Sequence, residues 1–115
     1  MTNSKYMTGR RLEYEVKHLF NDEGWYTFRS ASSKGIADVI AIKEDTTLLI
    51  QCKYGTKPSK AERLKMLEFY LATGVDIHML IAYKKPRQKI EFFNLDSEGN
   101  LEKDMTGWLI EYDEG

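Results

Sequence analysis

Residues 38–53 read Asp38-Val-Ile-Ala-Ile-Lys-Glu-Asp-Thr-Thr-Leu-Leu-Ile-Gln-Cys-Lys53. Two apolar runs, Asp38–Ile42 and Thr47–Lys53, flank the polar Glu44-Asp45-Thr46, which suits a tight hairpin. Both runs are apolar at nearly every residue, the pattern of strands covered on both faces. The polar residues gather at one end. Asp38 opens the first strand, and Gln51 and Lys53 close the second. Side chains alternate along a strand, so Gln51 and Lys53 point the same way, and the hairpin brings Asp38 to that end. Polar groups at the edge of an apolar sheet need partners or a ligand. A carboxylate, an amide oxygen and a backbone carbonyl are hard oxygen donors that suit Mg²⁺ or Mn²⁺. An ammonium beside them can hold a water or steady a phosphate. The competing reading has Asp38 cap the turn and pair with Lys53 at the rim of the sheet. Spacing leaves both open.

Outward from the hairpin, Leu12, Val16, Leu19 and Phe20 share one face of a helix. Gly24 stops that helix in a left-handed conformation. Glu13 and Glu15 border opposite edges of the apolar face, and helical geometry does not choose between them as a further ligand. Trp25–Arg29 is rich in strand formers, and Ser30–Gly35 is a small polar loop. Downstream, Ser59-Lys60-Ala61-Glu62 is a capping box that starts a helix near Lys60, with Pro58 blocking an earlier start and Gly74 marking the end. Ile77–Tyr83 and Ile90–Leu95 read as strands, and Trp108–Tyr112 as a short last one. The order α-β-β-β-α-β-β predicts an α/β fold, a mixed central sheet flanked by helices, in one domain over residues 1–115. The second helix is apolar on two sides, with Leu64, Leu67 and Leu71 on one and Met66, Phe69 and Tyr70 largely on the other. Either one compact fold buries both stripes or a second copy covers the surplus, as in a homodimer.

A chain of 115 residues is long enough for one core and too short for two. Hydrophobic residues at 42% and charged residues at 30% are the balance of a globular protein. One cysteine, Cys52, excludes an internal disulfide and a cysteine-based zinc site, and His18 and His78 form no ligand pair. No apolar run approaches a membrane span and nothing reads as a signal peptide, so a cytoplasmic location is expected. The net charge of −1 conceals a division. Residues 1–90 hold 16 basic and 10 acidic residues, a balance of +6, and residues 91–115 hold 1 and 8, a balance of −7. A basic body of this kind is compatible with a polyanion partner.

Three stretches carry a resemblance: Gly9-Arg-Arg-Leu-Glu13-Tyr-Glu-Val16, Gly24-Trp-Tyr-Thr-Phe-Arg29-Ser-Ala-Ser-Ser33-Lys-Gly35-Ile-Ala-Asp38-Val-Ile-Ala41, and Leu49-Ile-Gln51-Cys-Lys53. In order and spacing they resemble the archaeal-type Holliday junction resolvase family of archaea, phages and viruses, within the PD-(D/E)XK nuclease superfamily. The resemblance covers about the first half of the chain. It implies a restriction-endonuclease-like core and a structure-selective endodeoxyribonuclease. Such an enzyme resolves four-way DNA junctions by metal-dependent hydrolysis, with paired symmetrical nicks leaving 5′-phosphate and 3′-hydroxyl ends. It also implies Mg²⁺, with Mn²⁺ able to substitute, and a homodimer acting on branched DNA.

By the same transfer Glu13, not Glu15, stands in the family's Gly-x-x-x-Glu position. Asp38 becomes the acidic metal ligand and Lys53 the active-site lysine. Ser33 comes close to the scissile strand, and Arg29 is a phosphate contact or a structural anchor. The implied metal set is Glu13, Asp38, the Gln51 side-chain oxygen and the Cys52 backbone carbonyl. Arg10, Arg11, Ser32, Lys34, Lys57 and Lys60 join Arg29 as DNA contacts. Lys84 to Lys89 have no assigned role. Two residues depart from the family pattern. Gln51 replaces the usual Glu and brings no charge, and Ser32 replaces a glycine. The alternatives are a related nuclease acting on flaps, nicks or particular sites, and a nuclease-inactive module that binds branched DNA.

Overall fold

The apolar spacing at Leu12, Val16 and Phe20 forms a long first helix, α1 (Ser4–Asp22), in the computed structural model, which describes residues 4–30, 36–73 and 77–103. All three side chains are buried. The helix ends as Gly24 predicted. Gly24 takes φ +93°, its N–H bonds to the Asn21 carbonyl, and the Trp25 N–H bonds to the Phe20 carbonyl, each at 3.0 Å. These two bonds make a Schellman cap. The Phe20 and Trp25 rings meet edge to face at 5.5 Å, so the cap also delivers an aromatic pair to the core.

Three antiparallel strands follow in order of sequence: β1 (Tyr26–Arg29), β2 (Val39–Lys43) and β3 (Thr46–Tyr54). Lys43 pairs with Thr46, which leaves Glu44 and Asp45 as a two-residue turn, and Glu44 takes φ 54°. The capping box forms as read. The Ser59 N–H donates to Glu62 Oε1 at 2.8 Å and the Glu62 N–H to Ser59 Oγ at 3.2 Å. Helix α2 (Lys60–Thr73) then carries the chain to β4 (Ile77–Lys84), which lies parallel to β3. Strands β5 (Glu91–Leu95) and β6 (Leu101–Lys103) complete a six-stranded mixed sheet whose spatial order equals its chain order. The α-β-β-β-α-β-β order is therefore present, with β6 in addition. Sequence reading missed β6 because it has three residues, two of them charged. It is set by the preceding turn, where Asp96 Oδ1 accepts the Glu98 and Asn100 N–H groups. The strand expected at Trp108–Tyr112 lies outside the described residues.

Two cores sit on opposite faces of the sheet. On one, Leu12, Val16, Phe20 and Trp25 pack on Val39, Ala41, Leu48, Ile50, Leu80 and Ala82. On the other, Met66 of α2 joins Met79, Ile81, Tyr83 and Phe93. The expectation that β2 and β3 are covered on both faces needs correction. Val39, Ala41, Leu48 and Ile50 are buried under α1, but Ile40, Ile42 and Leu49 are only half-buried. The reason is that α2 lies on β4 and leaves the β1–β2 end of its face open, where Tyr26 and Phe28 are exposed. Helix α2 itself buries Met66, while Leu64, Phe69, Tyr70 and Leu71 stay exposed in the single chain, Leu71 at 68%. Neither stripe is fully absorbed.

Phe20 lies at the centre of the first core and contacts both Trp25 and Phe92. Phe20→Ala should cost about 3–5 kcal/mol. Urea unfolding measures this, and a loss below about 1 kcal/mol would contradict the packing described.

Candidate active site

The site lies just ahead of the first residue of β2. Asp38 closes the ladder with its own backbone, its N–H donating to the Ile50 carbonyl at 2.8 Å and its carbonyl accepting the Ser30 N–H at 2.9 Å. Two residues beyond Ile50 along β3, the Cys52 N–H has no further β2 residue to meet. It donates instead to Asp38 Oδ2 at 2.8 Å. The carboxylate thus takes the place of the missing strand. The N–H and carbonyl of one strand residue point to the same side, so the Cys52 carbonyl faces the same gap.

Gln51 donates through Nε2 to the same Oδ2 at 3.3 Å. Lys53 does not pair with Asp38. Its Nζ reaches Glu62 of α2, at 3.1 Å to Oε2 and 3.3 Å to Oε1. The rim pairing that competed with a site is therefore not what forms.

The two glutamates of α1 separate by what they meet. Glu13 Oε1 accepts a 2.8 Å bond from Arg29 Nε, and Glu13 also repels the charge of Asp38. Glu15 turns to Lys84 Nζ at 3.4 Å. Glu13 is the one beside Asp38, and Lys84, which had no assigned role, is the partner of Glu15. The Arg29 guanidinium also lies 5.0 Å from the centre of the Tyr14 ring, so arginine and glutamate are both held. Asp38, Gln51, the Cys52 backbone, Lys53, Glu13 and Arg29 are thus brought to one end of the sheet.

The other expected residues fall outside that group or outside the described residues. Arg10 and Arg11 are exposed on α1, and Lys60 is exposed at the start of α2. Lys57 lies over two rings, 5.6 Å from Tyr83 and 5.0 Å from Phe93. Ser32, Ser33 and Lys34 lie outside the described residues. Glu62 was read from sequence only as half of a capping box. The signal that it does more was the short connection 55–59, which brings the first turn of the helix back to the end of β3.

Burial is the main influence on Asp38 and raises its pKa. The Cys52 N–H opposes this, Glu13 adds to it, and Lys53 and Arg29 lower it in turn. The net effect is upward. Burial, then Asp38 and Glu13, also push the Cys52 thiol well above its ordinary range. That thiol packs against the first core and stays protonated, so Cys52 offers the site its backbone alone.

The donor set suits a hard divalent cation. Burial and the neighbouring Glu13 both disfavour the charged form of Asp38, and a cation bound beside it would relieve both. Gln51 presents its amide nitrogen to Asp38, and ligation through Oε1 takes a half-turn of that amide. Among the described residues no three His, Cys, Asp or Glu side chains form a metal cluster.

A raised carboxyl pKa has a defined sign in stability. The fold favours protonated Asp38, so its contribution is full below the unfolded value of about 3.9 and is lost as pH rises through the folded value. Asp38→Asn keeps an acceptor for the Cys52 N–H and removes the charge. The variant should melt higher than wild type at pH 7, with the gain gone by about pH 3. Thermal melts across pH without metal test this; a lower Tm for the variant at pH 7 would refute it.

The chain as a whole is similar to known proteins. A family model described as archaeal Holliday junction resolvase (Hjc) matches residues 4–111. The crossover junction endodeoxyribonuclease Hjc of Methanocaldococcus jannaschii is 31% identical over 99 residues, covering 83% of this chain and 74% of that protein. The structure of Hjc from Archaeoglobus fulgidus, a Holliday junction resolvase, is similar in fold, with a TM-score of 0.61 at 24% identity over 76% of this chain and 72% of the other.

Proposed function

We propose that this chain, which belongs to the archaeal Holliday junction resolvase family, cuts four-way DNA junctions through the site at Asp38. The observation that carries the residue assignment is the convergence of Asp38, Glu13 and Lys53 at the open end of the β2–β3 hairpin. Nucleases of this type depend on a metal. Mg²⁺ is the ion proposed here, with Mn²⁺ as a substitute, because every available donor is a hard oxygen. Asp38, the Gln51 side-chain oxygen and the Cys52 carbonyl would hold it, with Glu13 direct or through water. Bound there, such an ion would lower the pKa of a water and offset charge on the phosphate during transfer.

The chain's own residues supply the rest. Lys53 Nζ stands on the Gln51 face of β3, where it orients the attacking water or meets the charge that grows on the phosphate oxygens. Arg29 fixes Glu13 and so holds one carboxylate against the other. Ser33 is placed near the scissile phosphate by the resemblance alone. Arg10, Arg11, Lys34, Lys57 and Lys60, with Arg29 and Ser32, are the proposed backbone contacts, giving affinity and position with little sequence readout. The ring seat of Lys57 holds its ammonium over an apolar surface, which suits a phosphate contact.

Two symmetric nicks need two matched sites, and a two-fold dimer provides them. The exposed apolar side chains of α2 support that reading. Paired nicks with 5′-phosphate ends and a cytoplasmic setting complete the proposal. Among the described residues no helix is long and apolar enough to cross a membrane.

Asp38→Asn and Lys53→Ala should each abolish cleavage of a synthetic four-way junction while retaining its binding, read by nicking and mobility-shift gels. Full cutting by either variant removes the assignment. Linear duplex, flap and single-stranded DNA on the same gel distinguish a resolvase from a related nuclease. Tight junction binding with no cleavage in Mg²⁺ or Mn²⁺ would indicate a binding module instead. Mg²⁺ should also raise the Tm of wild type but not of Asp38→Asn. Gln51→Glu should keep or raise Mg²⁺ affinity in a calorimetric titration, since it adds charge at the same position. A clear loss there excludes Gln51 as a ligand.

A further inference from the structure

The carboxylate partner of Lys53 comes from the far side of the β3–α2 connection. Its Nζ lies 3.1 Å and 3.3 Å from the two oxygens of Glu62, a bidentate approach to the ammonium. Stability does not account for this pair. The Glu62 side chain is 50% exposed, and an ion pair so open to solvent contributes little to folding. Its value is geometric. A lysine head on four rotatable carbons has no preferred place unless something holds it.

Glu62 is well suited to hold it because Glu62 is itself held. Its Oε1 accepts the Ser59 N–H at 2.8 Å, and its own N–H donates to Ser59 Oγ. The next residue, Arg63, ties the same turn down twice. Arg63 Nη1 donates to the Pro58 carbonyl at 3.1 Å and Nε to the Gly99 carbonyl at 2.9 Å. The connection is pinned at its start too, where the Gly55 N–H donates to the Lys84 carbonyl at 2.8 Å. A carboxylate on so fixed a turn can set the position of the ammonium it faces.

Among the described residues no other carboxylate takes this role. Asp38 is engaged with the Cys52 N–H and Gln51, Glu13 with Arg29, and Glu15 with Lys84. Residue 51, which shares a face of β3 with Lys53, is an uncharged amide. The capping-box Ser59 N–H, first among the causes, and then Lys53 hold the Glu62 carboxyl below its usual range, so it is ionised under working conditions.

We infer that Glu62 is a positioning residue for the cleavage reaction: it acts through Lys53, holding the ammonium at the phosphate, while its capping bond anchors it to α2. The inference rests on the proposed role of Lys53. It adds that the start of α2 belongs to the machinery and is more than a connection.

Two substitutions separate the roles of one side chain. Glu62→Gln keeps an oxygen for the Ser59 N–H, as a capping box allows, and removes the charge facing Lys53. Ser59→Ala removes the Ser59 hydroxyl that accepts the Glu62 N–H and leaves the Glu62 carboxylate in place. Single-turnover cleavage of a four-way junction in Mg²⁺, at saturating enzyme, is measured beside junction affinity and Tm. The expected result is a cleavage rate at least tenfold lower in Glu62→Gln, with affinity and Tm close to wild type. Ser59→Ala should lower Tm and keep most of the rate. A Glu62→Gln rate equal to wild type overturns the inference. So does a rate loss that Ser59→Ala matches, since the capping role alone would then explain it. If wild type itself leaves every junction uncut, the functional reading fails, and the inference about Glu62 falls with it.

Discussion

A single hydrogen bond organises one end of this molecule: the Cys52 N–H donating to the Asp38 carboxylate. Strand β3 runs past the first residue of β2, and its backbone there must find a partner or water. Asp38 meets that need with a side chain rather than another residue of strand. The bond fixes the carboxylate beside β3, and its second oxygen, Glu13 and the Cys52 carbonyl are set around it. The cost is a charge placed partly out of water next to another of the same sign, which is why Asp38 resists ionisation. A fold selected for stability alone would have no reason to keep such a group.

Most of the frame was legible because it follows from local rules. Gly24, Pro58 and the Ser59–Glu62 box mark helix ends by chemistry that acts within a turn, and the structure places α1 and α2 accordingly. The hairpin was legible from two apolar runs around Glu44-Asp45-Thr46, although Thr46 belongs to β3 and the turn is one residue shorter than read. The extent of cover on β2 and β3 was not. Apolar residues on both faces of a strand say that burial is wanted, but which neighbour arrives depends on where α2 lands. It lands on β4. Strand β6 was missed for a related reason, since Leu101-Glu102-Lys103 has no strand pattern and pairs because a turn at Asp96 delivers it to β5.

The site was legible in part. Asp38, Gln51 and Lys53 could be brought together from alternation and a hairpin, which need only local geometry. Choosing Glu13 over Glu15 required the resemblance, and the structure then gave each glutamate a different cation, Arg29 and Lys84. The partner of Lys53 could not be read, because Glu62 already had a sufficient explanation as a cap. One side chain serving two neighbours is invisible to an argument that stops at the first role found.

The two outer strands have a further consequence. β1 is four residues long and β6 is three, and they carry Arg29, Glu102 and Lys103. Short, charged edges are poor templates for strand addition by another chain. The described sheet is thus protected at its margins while leaving Tyr26, Phe28 and the outer side of α2 apolar and open. A second copy meeting the described sheet would find surfaces to contact and no unguarded margin for open-ended growth.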